Sequence, residues 1–109
     1  MEKPKNEKRR FPRKSIAATG ELVDAIAGGA STIAMLDISL GGISFLSPFP
    51  LLRGSSWLIR FPIGKEVVEG PIQVVYCVKH SLTDAYRLGA ELVGWEDGPM
   101  TAVEDYLGD

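Results

Sequence analysis

The chain has 109 residues and a formal charge of −2, with one cysteine and one histidine. That length suits one domain around one core. With 45% hydrophobic and 24% charged residues the composition is that of a soluble globular protein. It holds no apolar run near the roughly 20 residues of a membrane span, so membrane insertion is not expected. The charged start is not a secretory signal, and the single Cys77 has no partner for an internal disulfide, which together place the chain in a reducing cytoplasm.

The small net charge conceals an asymmetry. Residues 1–14 carry seven Lys/Arg against two Asp/Glu, a balance of +5, while the remaining 95 residues carry five against twelve, a balance of −7. A basic tail on an acidic body is a local anion trap. It is not the broad basic face that a nucleic acid polymer needs.

In chain order, residues 1–10 hold no apolar residue after Met1 and are expected to be disordered in isolation, with Pro4 and Pro12 opposing helix. A flexible basic tail is assigned to residues 1–8 and a single domain to residues 9–109. A first strand is predicted over residues 16–26, followed by the Gly28-Gly29 turn. A second runs from Thr32 to Ile38 and is broken by Gly41-Gly42. A third covers Ile43 to Leu46, and Ser47-Pro48-Phe49-Pro50 is a loop. Ser56 to Pro62 alternates, with Trp57, Ile59 and Phe61 on one face.

Glu66 to Lys79 reads as a long strand with Val68, Ile72, Val74, Tyr76 and Val78 on one face. Gly70-Pro71 inside it predicts a bulge or bend. The last strand, Tyr86 to Val93, turns Tyr86, Leu88, Ala90 and Leu92 inward. Pro99 then suits a first helical position, and Met100, Val103, Tyr106 and Leu107 follow at helical spacing. This helix is expected to plug one mouth of the barrel. The prediction is therefore all-β: a small six-stranded antiparallel barrel with a short C-terminal α-helix.

Two segments carry candidate chemistry. Arg9-Arg10-Phe11-Pro12-Arg13 gathers three guanidinium groups. Each is planar and permanently charged, and its paired N–H bonds match a phosphate or the O6/N7 edge of guanine. Asp37-Ile38-Ser39-Leu40-Gly41-Gly42 sets a carboxylate, a hydroxyl and two glycines at one strand end. The carboxylate accepts from guanine N1–H and N2–H₂. Glycine at 41 or 42 permits φ > 0 and lets a ligand approach bare backbone. Taken singly, the first segment is also readable as a solvated tail and the second as an Asx-turn closing a hairpin.

The Arg-x-x-x-Arg spacing of Arg9 and Arg13, followed by the Asp-x-Ser-x-x-Gly spacing of Asp37, Ser39 and Gly42, resembles the PilZ domain family. Tyr86-Arg87-Leu88-Gly89-Ala90-Glu91-Leu92 is similar to that family's closing strand. The resemblance implies a PilZ-like split barrel that binds cyclic di-GMP without enzymatic activity. It implies that Arg9 and Arg13 hold phosphates and guanine Hoogsteen edges, that Arg10 assists, and that Asp37 and Ser39 bond a guanine edge. Gly42 matches the glycine that closes the turn, with Gly41 beside it. The Arg segment is then expected to order on the ligand and signal to an unidentified protein partner, from a monomer or weak dimer. No further cofactor is implied.

The rival reading within the family is a protein-interaction module that binds no nucleotide, such as a pilus or motility adaptor. A single-stranded nucleic acid binder ranks lower, because the strands are acidic outside and the aromatics alternate inward. An enzyme ranks last. His80 sits alone in a polar turn, Cys77 lacks companions for a metal site, and Gly28-Gly29 lacks the lysine of a phosphate loop. Trp57 and Trp95 read as core and rim aromatics.

Overall fold

Two β-bulges govern where this chain places its polar side chains. The computed structural model describes residues 12–24 and 26–108. It contains seven strands: β1 (Lys14–Ser15), β2 (Thr19–Val23), β3 (Ala30–Ile38), β4 (Gly42–Ser47), β5 (Ser56–Ile63), β6 (Glu66–Lys79) and β7 (Tyr86–Leu92). One helix follows, α1 (Asp97–Gly108). All pairings are antiparallel, in the order β3-β2-β5-β6-β7-β4, and β4 pairs back onto β3. The result is a closed six-stranded barrel, which leaves no open sheet edge. β1 is an extra strand on the end of β3, with Lys14 opposite Ile38 and Ser15 opposite Asp37.

The expected first strand is thus two. Ser15 pairs with Asp37 and Thr19 with Ala34, so four steps on one side span three on the other. The chain is held through this break by Ile16 N–H donating to the Leu36 carbonyl at 3.0 Å and Met35 N–H to the Ala18 carbonyl at 2.8 Å. The Gly28-Gly29 turn is closed by Asp24, whose Oδ1 accepts from the Ile26 and Ala27 amides at 2.9 and 3.1 Å.

The inner face is aliphatic and aromatic. Leu22, Ile38, Ile43, Phe45, Ile59, Phe61, Ile72, Leu88 and Val74 are fully buried. The alternation predicted for β5 holds, with Ile59 and Phe61 inside and Arg60 outside, where it bridges Glu21 and Glu69 at 3.0 and 3.1 Å. Helix α1 packs against β6 and β5 and buries Ala102 and Val103.

β6 departs from its predicted pattern at two points. Gly70-Pro71 carries no bulge and pairs in register with Ile59 and Leu58. The glycine is required because the Trp95 indole occupies the space a Cβ would take. The Trp95 Nε1 donates to the Pro71 carbonyl at 2.7 Å, and its ring centroid lies 6.2 Å from that of Phe61. The bulge lies instead between Val74 and Tyr76. An extra residue in a period-two pattern moves everything beyond it to the other face. Tyr76 and Val78, expected inside, are therefore exposed, and Cys77 packs against the core. The second bulge lies between Met35 and Asp37 in β3. Inward positions run Ile33, Met35, then Ile38. Were Leu36 not absorbed in a bulge, unbroken alternation from Met35 would point Asp37 into the barrel.

Candidate functional site

The two bulges act on one patch of the outer surface. Asp37 pairs with Ser44 of β4, Ser44 with Gly89 of β7, and Gly89 with Tyr76 of β6. Directly paired residues project to the same face of a sheet. A row of four outward positions, Asp37–Ser44–Gly89–Tyr76, therefore crosses four strands, and each end is aimed outward by a bulge. At Gly89 the space of a Cβ is filled by the Tyr76 ring. The ring therefore lies against the sheet and forms an aromatic wall.

The arm enters at the Asp37 end. Pairing of Lys14 with Ile38 and Ser15 with Asp37 brings Pro12 and Arg13 past the end of β3. Arg13 Nη1 donates to Asp37 Oδ1 at 2.6 Å, which joins the two sequence motifs across 24 residues. The arginine side chain is 59% exposed and the aspartate 23%. A pair so accessible to water contributes on the order of 0–1 kcal/mol, so a competing anion and a competing donor displace it at little cost. Arg9 and Arg10 lie outside the described residues, as does the tail assigned to residues 1–8.

The Ser39–Gly42 turn forms the adjoining rim. Ser39 is buried, and its Oγ accepts from the amides of Gly42 and Gly41 at 3.1 and 3.3 Å. The Ser39 N–H donates to the Gly42 carbonyl at 2.8 Å. The hydroxyl thus shapes the turn. Neither Gly41 nor Gly42 is among the positive-φ glycines of the described residues, which are Gly28, Gly54, Gly64 and Gly94. The expected φ > 0 is not what Gly42 supplies. A Cβ there would stand 2.9 Å from the Ala90 carbonyl oxygen, so glycine is needed for β4 to approach β7.

Together these elements enclose an open cavity of about 380 Å³. Arg13, Ser39, Gly41 and Gly42 line one end, Val75 and Tyr76 the other, with Ser44 and Gly89 between them and Glu91 beside Gly42. A cation, a carboxylate, a bare glycine rim and an aromatic wall suit an anionic ligand bearing flat heterocycles. Sequence reasoning did not assign Ser44, Val75, Tyr76 or Glu91 to the site. One signal for Tyr76 exists: the consecutive Val74-Val75 breaks the alternation of β6 and marks the bulge.

The remaining candidates are placed elsewhere. Trp95 packs on Gly70, and Trp57 Nε1 donates to Ser55 Oγ at 2.9 Å. His80 closes its own turn: its Nδ1 accepts from the Leu82 amide at 3.3 Å. Among the described residues no three His, Cys, Asp or Glu side chains converge on a metal position, and no helix is long and apolar enough to cross a membrane.

No curated protein matches the chain. Solved structures match its fold closely. The Bacillus subtilis inhibitor of motility MotI/DgrA aligns with a TM-score of 0.77 at 15% identity, covering 90% of this chain and 48% of that one. YcgR from Escherichia coli in complex with c-di-GMP aligns at 0.76 and 18% identity, covering 93% and 45%. The K. pneumonia MrkH–c-di-GMP complex aligns at 0.74 and 16%, covering 93% and 51%. This chain therefore spans about half the length of these relatives. The family model of the PilZ domain matches residues 7–108, a span that includes the arm, the barrel and the helix; the chain belongs to the PilZ domain family.

Proposed function

We propose that this chain is a non-enzymatic receptor domain for cyclic di-GMP. The observation that carries the reading is the Arg13–Asp37 pair, whose arginine lines the cavity, because the same two groups suit the two halves of the ligand. The ligand's phosphates or guanine O6/N7 edge take the guanidinium, and its guanine N1–H and N2–H₂ groups take the carboxylate. The exchange replaces one ion pair by two charge-assisted sets of hydrogen bonds and leaves neither side chain without a hydrogen-bond partner. Arg9 and Arg10 add further cationic forks from the arm. Ser39, Gly41 and Gly42 form the rim against which the ligand rests. Family membership and the c-di-GMP complexes of the structurally similar YcgR and MrkH support the assignment.

In this reading ligand capture orders the Arg9–Arg13 segment, and the ordered arm presents a new surface to a protein partner. Calorimetric titration with cyclic di-GMP tests it. Wild type is expected to bind, and Arg13→Ala and Asp37→Ala each to weaken binding at least tenfold, since a hydrogen bond to a charged group is worth about 1.5–3 kcal/mol. Circular dichroism should show an unchanged fold in both. A folded wild type that gives no heat would leave the nucleotide-free interaction module as the reading.

A further inference from the structure

Ser44 holds the one buried side-chain polar atom that has no hydrogen-bond partner among the described residues. The side chain is 3% exposed and lines the cavity. The other two buried serines are engaged. Ser39 closes its turn, and Ser47 Oγ donates to the Phe49 carbonyl at 2.8 Å and accepts from the Phe49 amide at 3.2 Å. The neighbours of Ser44 on its row do not engage it: Gly89 has no side chain, and Asp37 Oδ1 holds Arg13.

A buried hydroxyl without a partner is unfavourable, and alanine at this position would avoid the cost. A polar group of this kind inside a ligand cavity fits a partner that arrives with the ligand. Ser44 stands directly opposite Asp37, so their side chains are near neighbours on one face. The Watson–Crick edge of guanine presents two donors, N2–H₂ and N1–H, and then one acceptor, O6. A carboxylate accepts from the donors but cannot serve O6, whereas a hydroxyl donates to it.

We propose that Ser44 is a specificity-determining residue of this site: its hydroxyl donates to guanine O6 while Asp37 accepts from N1–H and N2–H₂ of the same base. The assignment rests on the cyclic di-GMP reading above. Adenine carries an N–H₂ donor where guanine carries O6 and does not complete the pattern. The Tyr76 ring, lying over Gly89 beside Ser44, supplies a flat wall to the base.

The test is Ser44→Ala, titrated with cyclic di-GMP and with cyclic di-AMP alongside wild type. The expected result is about a tenfold loss of affinity for cyclic di-GMP, a matching fall in its preference over cyclic di-AMP, and a melting temperature no lower than wild type. Undiminished affinity and preference would overturn the Ser44 assignment while leaving the receptor reading intact. So would a lowered melting temperature with preference unchanged, which marks a structural hydroxyl. If wild type binds cyclic di-GMP no better than cyclic di-AMP, the receptor reading fails, and Ser44 loses its role with it.

Discussion

The hydroxyl of Tyr106, in the last turns of α1, donates to the main-chain carbonyl of Ser15 at 2.7 Å, across 91 residues. The contact is reciprocated. Lys14 Nζ donates to the Tyr106 carbonyl at 2.9 Å and stands 4.4 Å from the centre of its ring. The residue next to Arg13 is therefore clamped to the C-terminal helix. A cation at a helix C-terminus meets carbonyls that lack intrahelical partners, which favours this placement. The arm that brings Arg13 to Asp37 is thus positioned from both sides, by β3 and by α1.

Removing the Tyr106 hydroxyl should loosen that arm without emptying the core. For Tyr106→Phe we expect a loss of about 0.5–1.5 kcal/mol in chemical denaturation, the scale of one hydrogen bond. We also expect faster amide exchange at Lys14 and Ser15 of β1, with exchange in β3 unchanged. Uniform exchange across the barrel would show that the helix does not hold the arm.

The glycines of β4 and β7 should behave differently from each other. At Gly42 an added Cβ meets the Ala90 carbonyl oxygen, which is backbone and cannot swing aside. Gly42→Ala is expected to cost about 1–3 kcal/mol, the scale of overpacking. At Gly89 the obstacle is the Tyr76 ring, an exposed side chain free to rotate. Gly89→Ala should destabilise less but displace the aromatic wall. It should therefore weaken cyclic di-GMP binding by more than its change in stability accounts for. Paired melting and titration experiments on the two variants decide this; equal stability losses would contradict it.

Acid should act on the β2–β3 turn. Hydrogen bonds from the Ala27 and then the Ile26 amide favour the charged form of Asp24 and hold its carboxyl below the ordinary 3.8. A depressed folded value means the contribution is present above the unfolded pKa and fades as pH falls through the folded one. Asp24→Ala should therefore melt below wild type at neutral pH, and the gap should narrow as pH drops under about 4. A gap constant from pH 7 to pH 2 would show that the carboxylate charge contributes nothing.

The local signals in this chain located most of its elements. The Gly28-Gly29 turn and the period-two alternation in Ser56–Ile63 and Tyr86–Leu92 correspond to structure found there, and the helix predicted from Pro99 starts two residues earlier at Asp97, whereas Gly70-Pro71 carries no bulge. Arg13 and Asp37 were legible as a pair because both lie in spaced motifs, and the fold brings them to 2.6 Å. What a sequence encodes at this range is the conformation and chemistry of neighbours a few residues apart.

The outward row was decided by tertiary structure alone. Ser44 carries no signal in the linear chain and Gly89 only its place in the closing strand; they become part of a site because β4 lies between β3 and β7. Tyr76 was assigned inward by alternation, and the bulge after Val74 reversed it, as the bulge after Met35 turned Asp37 outward. The physical reason is that alternation fixes only relative facing along an unbroken strand. Where an extra residue is absorbed depends on the register of the partner strand, and that register is set when six strands close around one core.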